Sequence, residues 1–266
     1  MSPLRAGGIA LAVEAGAAIL AVYAQDFAVE HKDDASPLTQ ADLAAHRIIV
    51  AGLQALAPDI PVLSEEDAGM PWSERRTWTR HWLVDPLDGT REFVKKNGEF
   101  TVNIALVEAG RPVLGIVYAP VPGLLMHAAA GEGAWLRTEA GDVAVTTRRP
   151  AALPLRVAAS RSHLDPRTAA ALGRMGETER IGLGSSLKFC RIAEGLVDVY
   201  PRFGPTSEWD TAAAQCVLEE AGGAVLRLDG QPLDYNRKDS LLNPDFIALG
   251  DSSLPWRDWL EASPHG

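Results

Sequence analysis

The amino-acid sequence predicts a mixed α/β protein in two halves, residues 1–152 and 153–266, and three observations carry that prediction. Two stretches with apolar residues at helical spacing open the chain and precede strand-like alternation in Thr101-Val102-Asn103-Ile104-Ala105-Leu106-Val107. From Leu155 onward short apolar strands alternate with helical segments, the pattern of an α/β unit. Between the two helical stretches and Thr101, Trp82-Leu83-Val84 reads as a short buried strand that delivers Asp85 and Asp88 to its C-terminal end.

Residues 3–24 are Ala-rich, with Ile9, Ala12, Val13, Gly16, Leu20 and Tyr23 at helical spacing, so a core-facing helix is expected. Arg5 and Glu14 interrupt the apolar run, which argues against a membrane span. A signal peptide would not carry Glu14 inside its apolar region, and a cytoplasmic protein is expected. A charged, turn-rich stretch with Lys32, Asp33 and Asp34 leads to a second helix opened by Thr39-Gln40-Ala41-Asp42 and continued through Ile48, Ile49, Leu53 and Leu56. Thr39 and Asp42 have capping-box spacing, so Asp42 has two readings, a helix cap or a group of a functional site. Asp59 to Ser64 is a short strand that runs into Glu65-Glu66-Asp67, three acids whose ordinary place is a solvated loop. Burying any of them near Asp85 and Asp88 would require a cation.

Gly69 to Arg80 reads as a surface loop, with Arg75, Arg76 and Arg80 in solvent and Trp72 and Trp78 partly buried. Lys95-Lys96-Asn97-Gly98 is a turn, and Glu108-Ala109-Gly110-Arg111 turns the following strand into Val113 to Tyr118. Short strands are expected around Leu125-Met126-His127 and Ala134-Trp135-Leu136. In the second half Leu155–Ala159, Val197–Tyr200, Ala224–Leu226 and Phe246–Leu249 read as strands, and 165–175, 187–194 and 211–221 as helices.

Hydrophobic residues at 47% and charged residues at 23% are ordinary for a soluble globular enzyme, with no repeat or low-complexity tract. A formal charge of −10 argues against a nucleic-acid polymer as partner, because phosphate backbones demand a basic face. A small anionic substrate remains compatible if a cation or local Arg and Lys offset that field. Cys190 and Cys216, both in apolar helical contexts, point to a reducing compartment without disulfides. Oligomeric state is left open.

Two acidic junctions carry chemistry. In Asp85-Pro86-Leu87-Asp88-Gly89-Thr90, Pro86 cannot continue a ladder and Gly89 frees the backbone, so a sharp turn is expected there. Two carboxylates, the Leu87 carbonyl and the Thr90 hydroxyl then form an all-oxygen set suited to a hard divalent cation; a plain Asp/Gly turn is the other reading. The two Asp are three positions apart, not the two of phosphatases with a covalent Asp nucleophile, which disfavours aspartyl-phosphate chemistry. The second junction is Glu208-Trp209-Asp210-Thr211-Ala212-Ala213, where Asp210 caps the Ala-rich helix or points into a shared cleft.

Taken together and in order, Glu65, Asp85-Pro86-Leu87-Asp88-Gly89-Thr90 and Trp209-Asp210-Thr211-Ala212-Ala213 resemble the signature set of the inositol monophosphatase superfamily. Lys95 to Ala105, Gly184-Ser185-Ser186-Leu187-Lys188-Phe189-Cys190 and Tyr200 to Thr206 resemble its 3′(2′),5′-bisphosphate nucleotidase branch of bacterial sulfate assimilation. The resemblance covers nearly the whole chain, with no departure at a motif position. It implies a five-layer αβαβα sandwich with the active site between the halves. It also implies Mg²⁺ held by Glu65, Asp85 and the Leu87 carbonyl, a second Mg²⁺ held by Asp85, Asp88 and Asp210, and a weaker third on Glu65. Asp42 and Thr90 would position and deprotonate the attacking water, and the Gly89 and Thr90 amides would receive the scissile phosphate.

Specificity must lie outside the metal motif. Ser160, His163, Gly184, Ser185, Ser186, Lys188 and Arg202 fall near strand or helix ends of the second half. Gly184 and the two serines would offer backbone amides to a phosphate, and Lys188 and Arg202 would balance a second one. A solvated helix charge is the other reading of Lys188, and a surface turn that of His163. Ser185 and Ser186 are rival nucleophiles that no His or Lys is spaced to activate. His31, His46, His81, His127 and His265 show no metal-ligand spacing. The expected function is Mg²⁺-dependent removal of the 3′-phosphate from adenosine 3′,5′-bisphosphate and from its sulfated precursor. The alternatives are an inositol or sugar phosphate phosphatase and a non-catalytic, metal-dependent regulatory protein.

Overall fold

Two long helices lead the chain, α1 (Pro3–Tyr23) and α2 (Pro37–Leu56), in a computed structural model that describes residues 1–25, 37–159 and 165–260. They pack against each other at glycines: a Cβ on Gly52 would lie 2.1 Å from Leu11 Cδ2, and one on Gly7 2.6 Å from Leu56 Cδ2. The first sheet follows as β1 (Val62–Ser64), β2 (Arg80–Asp88), β3 (Thr101–Glu108), β4 (Arg111–Ala119), β5 (Leu124–Ala129), β6 (Ala134–Thr138) and β7 (Gly141–Val145). Its spatial order is its chain order, all antiparallel except the parallel β1–β2 pair. A 3-10 turn, Glu65–Asp67, and two short helices, α3 (Trp72–Arg75) and α4 (Thr90–Val94), lie in its connections.

The second sheet holds β8 (Leu155–Ala159), β9 (Thr178–Gly182), β10 (Val199–Arg202), β11 (Ala224–Arg227) and β12 (Phe246–Leu249), in the order β11-β12-β10-β8-β9. With it come α5 (Pro166–Arg174), α6 (Leu187–Ala193), α7 (Ala212–Glu220) and α8 (Trp256–Leu260). The period-2 alternation of strand side chains sorts the core into layers. Trp82 and Val84 of β2, with Ile104 and Ile116, meet Ile9, Ile19, Ile49 and Leu53 of α1 and α2. On the sheet's opposite face Leu83, Ala105 and Val117 share a cluster with α6, α7 and Tyr200, Phe246 and Ala248 of the second sheet. The far face of that sheet, through Val157, Val199 and Ile247, packs on Ala171 and Met175 and on Trp256 and Trp259 of α8. The result is the five-layer αβαβα sandwich.

Several expectations are corrected. In α1 Val13 is exposed, whereas Arg5 is buried and pairs with Glu132 at 2.7 Å. The helix is 21 residues long with mean hydropathy 1.8, apolar enough by composition to cross a membrane despite Arg5 and Glu14; here it packs on α2 and β4. Thr39 and Asp42 both lie inside α2, so Thr39 is not the residue that opens the helix. Arg75 is buried rather than solvated, while Trp72 and Trp78 are half-buried as expected. β7, β9, α3, α4 and α8 were not legible from periodicity. The charged stretch around Lys32 and residues Ser160 and His163, with His31 and His265, lie outside the described residues.

The central layer has almost no slack. A Cβ at Gly115 of β4 would sit 2.2 Å from the Ala213 carbonyl oxygen and 2.8 Å from Cys216 Cβ, so α7 lies directly on the sheet there. Backbone cannot swing aside as a side-chain tip can, and overpacking of this kind costs about 1–3 kcal/mol. Gly115→Ala is expected to lower the thermal midpoint by several degrees, measured by thermal denaturation. An unchanged midpoint would mean that α7 is not seated on β4 as described.

Candidate active site

β2 does not turn at Pro86; it continues to Asp88 through a bulge. Asp85 pairs with Asn103 and Asp88 with Thr101, so three steps on β2 span two on β3. In a regular strand residues three apart face opposite sides, and the extra residue returns Asp88 to the side of Asp85. Pro86, with no N–H to donate, is accommodated in the bulge, and Asp85 Oδ1 accepts the Leu87 N–H at 3.0 Å. The sharp turn comes at Gly89, whose φ of +93° suits glycine, and it places Thr90 at the start of α4.

The third carboxylate arrives from the second half. Asp210 ends a 3-10 turn, Glu208–Asp210, and accepts the Ser207 N–H at 3.0 Å in a capping box, so it does not cap α7. One carboxylate oxygen each from Asp85, Asp88 and Asp210 lies within 4.8 Å of the others. Asp88 Oδ2 is occupied by protein donors: the Ser186 N–H at 2.6 Å, and Thr101 Oγ1 and Asn103 Nδ2, each at 3.4 Å. Ser186 Oγ in turn donates to Asn103 Oδ1 at 2.8 Å. That leaves Oδ1 of Asp88 as the oxygen for a ligand.

The electrostatics are those of a cation site. Burial, with Asp88, Glu65 and Asp210 adding their charge, raises the Asp85 pKa well above the ordinary carboxylate value. Burial with Asp210 beside it pushes Asp88 up to about 7, and burial above all pushes Asp210 to about 6. Glu65, in the turn after β1, is raised by burial too. Asp42 of α2 is buried, with Oδ1 lacking a hydrogen-bond partner among the described residues, and burial with Glu66 and Glu65 raises it to about 8. Asp42 thus belongs to this acidic group. Like-charged buried carboxylates with converging oxygens fit a hard divalent cation.

Asp88 and Asp210 line a cavity of about 490 Å³ that also includes Gly89, Thr90, Glu92, Gly184, Ser185, Ser186, Lys188, Tyr200 and Arg202. Lys188 is buried, which overturns the solvated reading; its Nζ donates to the Ser185 carbonyl at 3.0 Å and lies 5.2 Å from the Tyr200 ring centroid. Burial lowers its pKa to about 8, against the pull of Asp88. Arg202 donates to the Gly204 and Pro205 carbonyls at 3.2 and 2.8 Å. The expected amide cradle is corrected. The Gly184 N–H donates to Glu99 Oε2 at 2.9 Å and the Ser186 N–H to Asp88, so both amides serve carboxylates of the protein. Among the described histidines none joins the cluster: His46 bonds Ser64 Oγ at 2.9 Å, and burial lowers buried His81 to about 4. Sequence reasoning gave no role to Thr101, Asn103 and Glu99, although they lie in the Lys95 to Ala105 stretch that carries part of the family resemblance.

The sequence profile of the inositol monophosphatase family matches residues 1–251, and the chain belongs to that family. It is 52% identical over 238 residues to the 3′(2′),5′-bisphosphate nucleotidase CysQ of Shigella flexneri, covering 89% of this chain and 95% of the relative. The protein of the same name from Haemophilus influenzae is 36% identical over 250 residues, 93% of each chain. Among solved structures, CysQ from Bacteroides thetaiotaomicron superposes with a TM-score of 0.85 at 42% identity, over 92% of this chain and 96% of that one. An inositol monophosphatase from Zymomonas mobilis matches with a TM-score of 0.80 at 26% identity, over 97% of each.

A pH signature follows from the raised carboxylates. Unfolded Asp titrates near 3.8, whereas Asp210, Asp88 and Asp42 titrate in the fold near 6, 7 and 8. Between those values the folded, metal-free protein binds more protons than the unfolded chain, so their contribution to stability falls as pH rises from about 4 to 8. A divalent cation held by these carboxylates would compete with those protons, so the stabilising effect of added Mg²⁺ should grow over the same range. The measurement is the difference in thermal midpoint with and without Mg²⁺ against pH, in wild type and in Asp88→Asn, where it should shrink. A difference independent of pH in wild type would contradict the cation reading.

Proposed function

We propose that this chain is a Mg²⁺-dependent phosphatase that removes the 3′-phosphate of adenosine 3′,5′-bisphosphate, and of its sulfated precursor, through water activated at the carboxylate cluster. One observation carries the substrate class: a single cavity is lined both by Asp88 and Asp210 of the acidic cluster and by buried Lys188 with Arg202. It can accommodate two phosphates, one to be cleaved and one to be held. The names of the relatives at 52% identity support the same reading.

Asp85, Asp88 and Asp210 would hold one Mg²⁺, Glu65, Asp85 and the Leu87 carbonyl a second, and Glu65 a weaker third. Bound Mg²⁺ supplies acidification of the attacking water and neutralisation of the phosphoryl charge. The protein's part is orientation and proton transfer. Thr90 positions the water and relays its proton to Asp42, whose buried carboxylate takes up a proton readily. The water oxygen bonds to phosphorus as the phosphorus–O3′ bond breaks, and the O3′ oxygen leaves with a proton from solvent. Gly89 and Thr90 receive the scissile phosphate at the start of α4. Ser185, Lys188 and Arg202 receive the phosphate that stays, with Ser160 and His163 as further substrate contacts. The free, buried Cys190 and Cys216 support a reducing, cytoplasmic setting. The division of labour between 1–152 and 153–266 is metal ligation in the first and specificity in the second, with Asp210 the exception.

The decisive comparison is kcat/KM for adenosine 3′,5′-bisphosphate and for inositol 1-phosphate in wild type and Lys188→Ala. A charge-assisted hydrogen bond is worth roughly 1.5–3 kcal/mol, so the variant should lose about tenfold to a hundredfold on the bisphosphate. It should lose far less on the monophosphate, which has no second phosphate. Preference of wild type for inositol 1-phosphate, or equal losses on both substrates, would move the assignment to the phosphate monoester alternative.

A further inference from the structure

Asp85 and Asp88 stand on β2, whereas Asp210 stands in a turn of the second half, so the cluster exists only while the two are held in register. Behind the Asp210 turn, residues 236–243 form a strap around it. The carboxylate of Glu208, fully buried two residues before Asp210, accepts the Asn236 N–H at 2.7 Å and Lys238 Nζ at 2.8 Å. The Glu208 N–H donates to the Leu241 carbonyl at 2.8 Å, and Asn243 Nδ2 donates to the Ser207 carbonyl at 2.7 Å.

One buried pair ties the strap to the first half, beside an exposed bond from Arg237 to the Ala109 carbonyl. Arg75, at the end of α3 and just ahead of β2, donates to Asn236 Oδ1 at 2.9 Å and to the carbonyls of Lys238 at 3.1 Å and of Asp239. Asn236 Nδ2 donates back to the Arg75 carbonyl at 2.6 Å. Arg75 is 2% exposed and Asn236 6%, and neither lines the cavity. Asn236 has a φ of +51°, a left-handed conformation that few residues other than Asn and Gly adopt without strain.

We propose that the reciprocal Arg75–Asn236 pair positions the metal cluster, setting Asp210 against Asp85 and Asp88 through the strap around Glu208. The proposal rests on the metal-dependent reading above. Residues that orient metal ligands from behind typically change metal affinity by about 10–100-fold when lost.

The test uses Asn236→Gly, which removes both side-chain hydrogen bonds to Arg75 yet suits the left-handed backbone. The metal-stripped protein is titrated with Mg²⁺ by calorimetry, alongside its thermal midpoint, kcat and KM. Mg²⁺ affinity should fall about tenfold or more, kcat should fall with it, and KM should change little. Leu155→Ala, which loosens the outer core layer far from the cluster, should lower the midpoint and leave Mg²⁺ affinity intact. Wild-type Mg²⁺ affinity in Asn236→Gly would overturn the clamp, as would an equal loss of affinity in Leu155→Ala at a matched fall in midpoint. Should the glycine variant not fold, Arg75→Lys is read the same way, since lysine keeps the charge but not the fork; wild-type affinity there overturns the clamp. A wild type that binds no Mg²⁺ would remove the metal-dependent reading itself, and the clamp with it.

Discussion

Carboxylates that repel one another must be forced together before they can hold a cation, and much of this fold is arranged to apply that force. Asp85 and Asp88 have no freedom to separate. The bulge in β2 puts them on one side, and β3 pairs with the strand on both flanks of the bulge. Trp82, Val84 and Leu87 anchor the same strand in the core beneath α1 and α2. Burial first, and repulsion within the acidic group after it, raises the pKa values of Asp85, Asp88 and Asp210. A group of this kind opposes folding when ionised and unpartnered, so the surrounding packing must be strong enough to tolerate it.

The same logic accounts for the middle helix layer. α6 and α7 are sandwiched between the two sheets, and each carries site chemistry at its N-terminal approach: Ser185 and Ser186 before α6, Asp210 before α7. Ser186 donates its amide to Asp88, while Gly184 donates to Glu99, so the segment that lines the cavity from the second half is pinned to carboxylates of the first. Close contact of α7 with β4 at Gly115 keeps the Asp210 end of that layer from sliding. The cavity lining draws on both halves, Asp88 and Thr90 from the first and Lys188, Arg202 and Asp210 from the second, which ties its integrity to the shared core.

The sequence was legible where one residue's chemistry decides the outcome and opaque where geometry does. The period-2 run from Thr101 to Val107 and the helix through Ile49 and Leu53 announced themselves by spacing. The Asp85-Pro86-Leu87-Asp88 stretch announced a close pair of carboxylates, but the device is a bulge rather than a turn, because β3 continues to pair beyond Pro86 and a ladder partner cannot be read from one strand. Asp42 was ambiguous because a helix start and a buried site acid both favour Asp; its place inside α2, buried beside Glu65 and Glu66, separates them. Arg75 was read as solvated because its partners lie 161 or more residues away, at Asn236 and beyond. β7 escaped because an exposed edge strand has no apolar alternation to show.

The cavity's mixed lining bears on how a chain of net charge −10 admits a polyanion. At long range the protein repels such a ligand, and steering is unfavourable. Inside, the balance changes with distance and burial: Lys188 is desolvated beside Tyr200, where a charge acts at much greater strength than in bulk water. Burial lowers its pKa to about 8, which leaves it charged at neutral pH, and an arriving phosphate would favour that charged form further. In the same cavity the carboxylates of Asp88 and Asp210 repel the same phosphate unless a divalent cation reverses the sign of their field. Under the proposed function, metal and substrate would therefore favour each other at this site, and discrimination would fall to the part of the substrate that meets Lys188 and Arg202 rather than the part that meets the cluster.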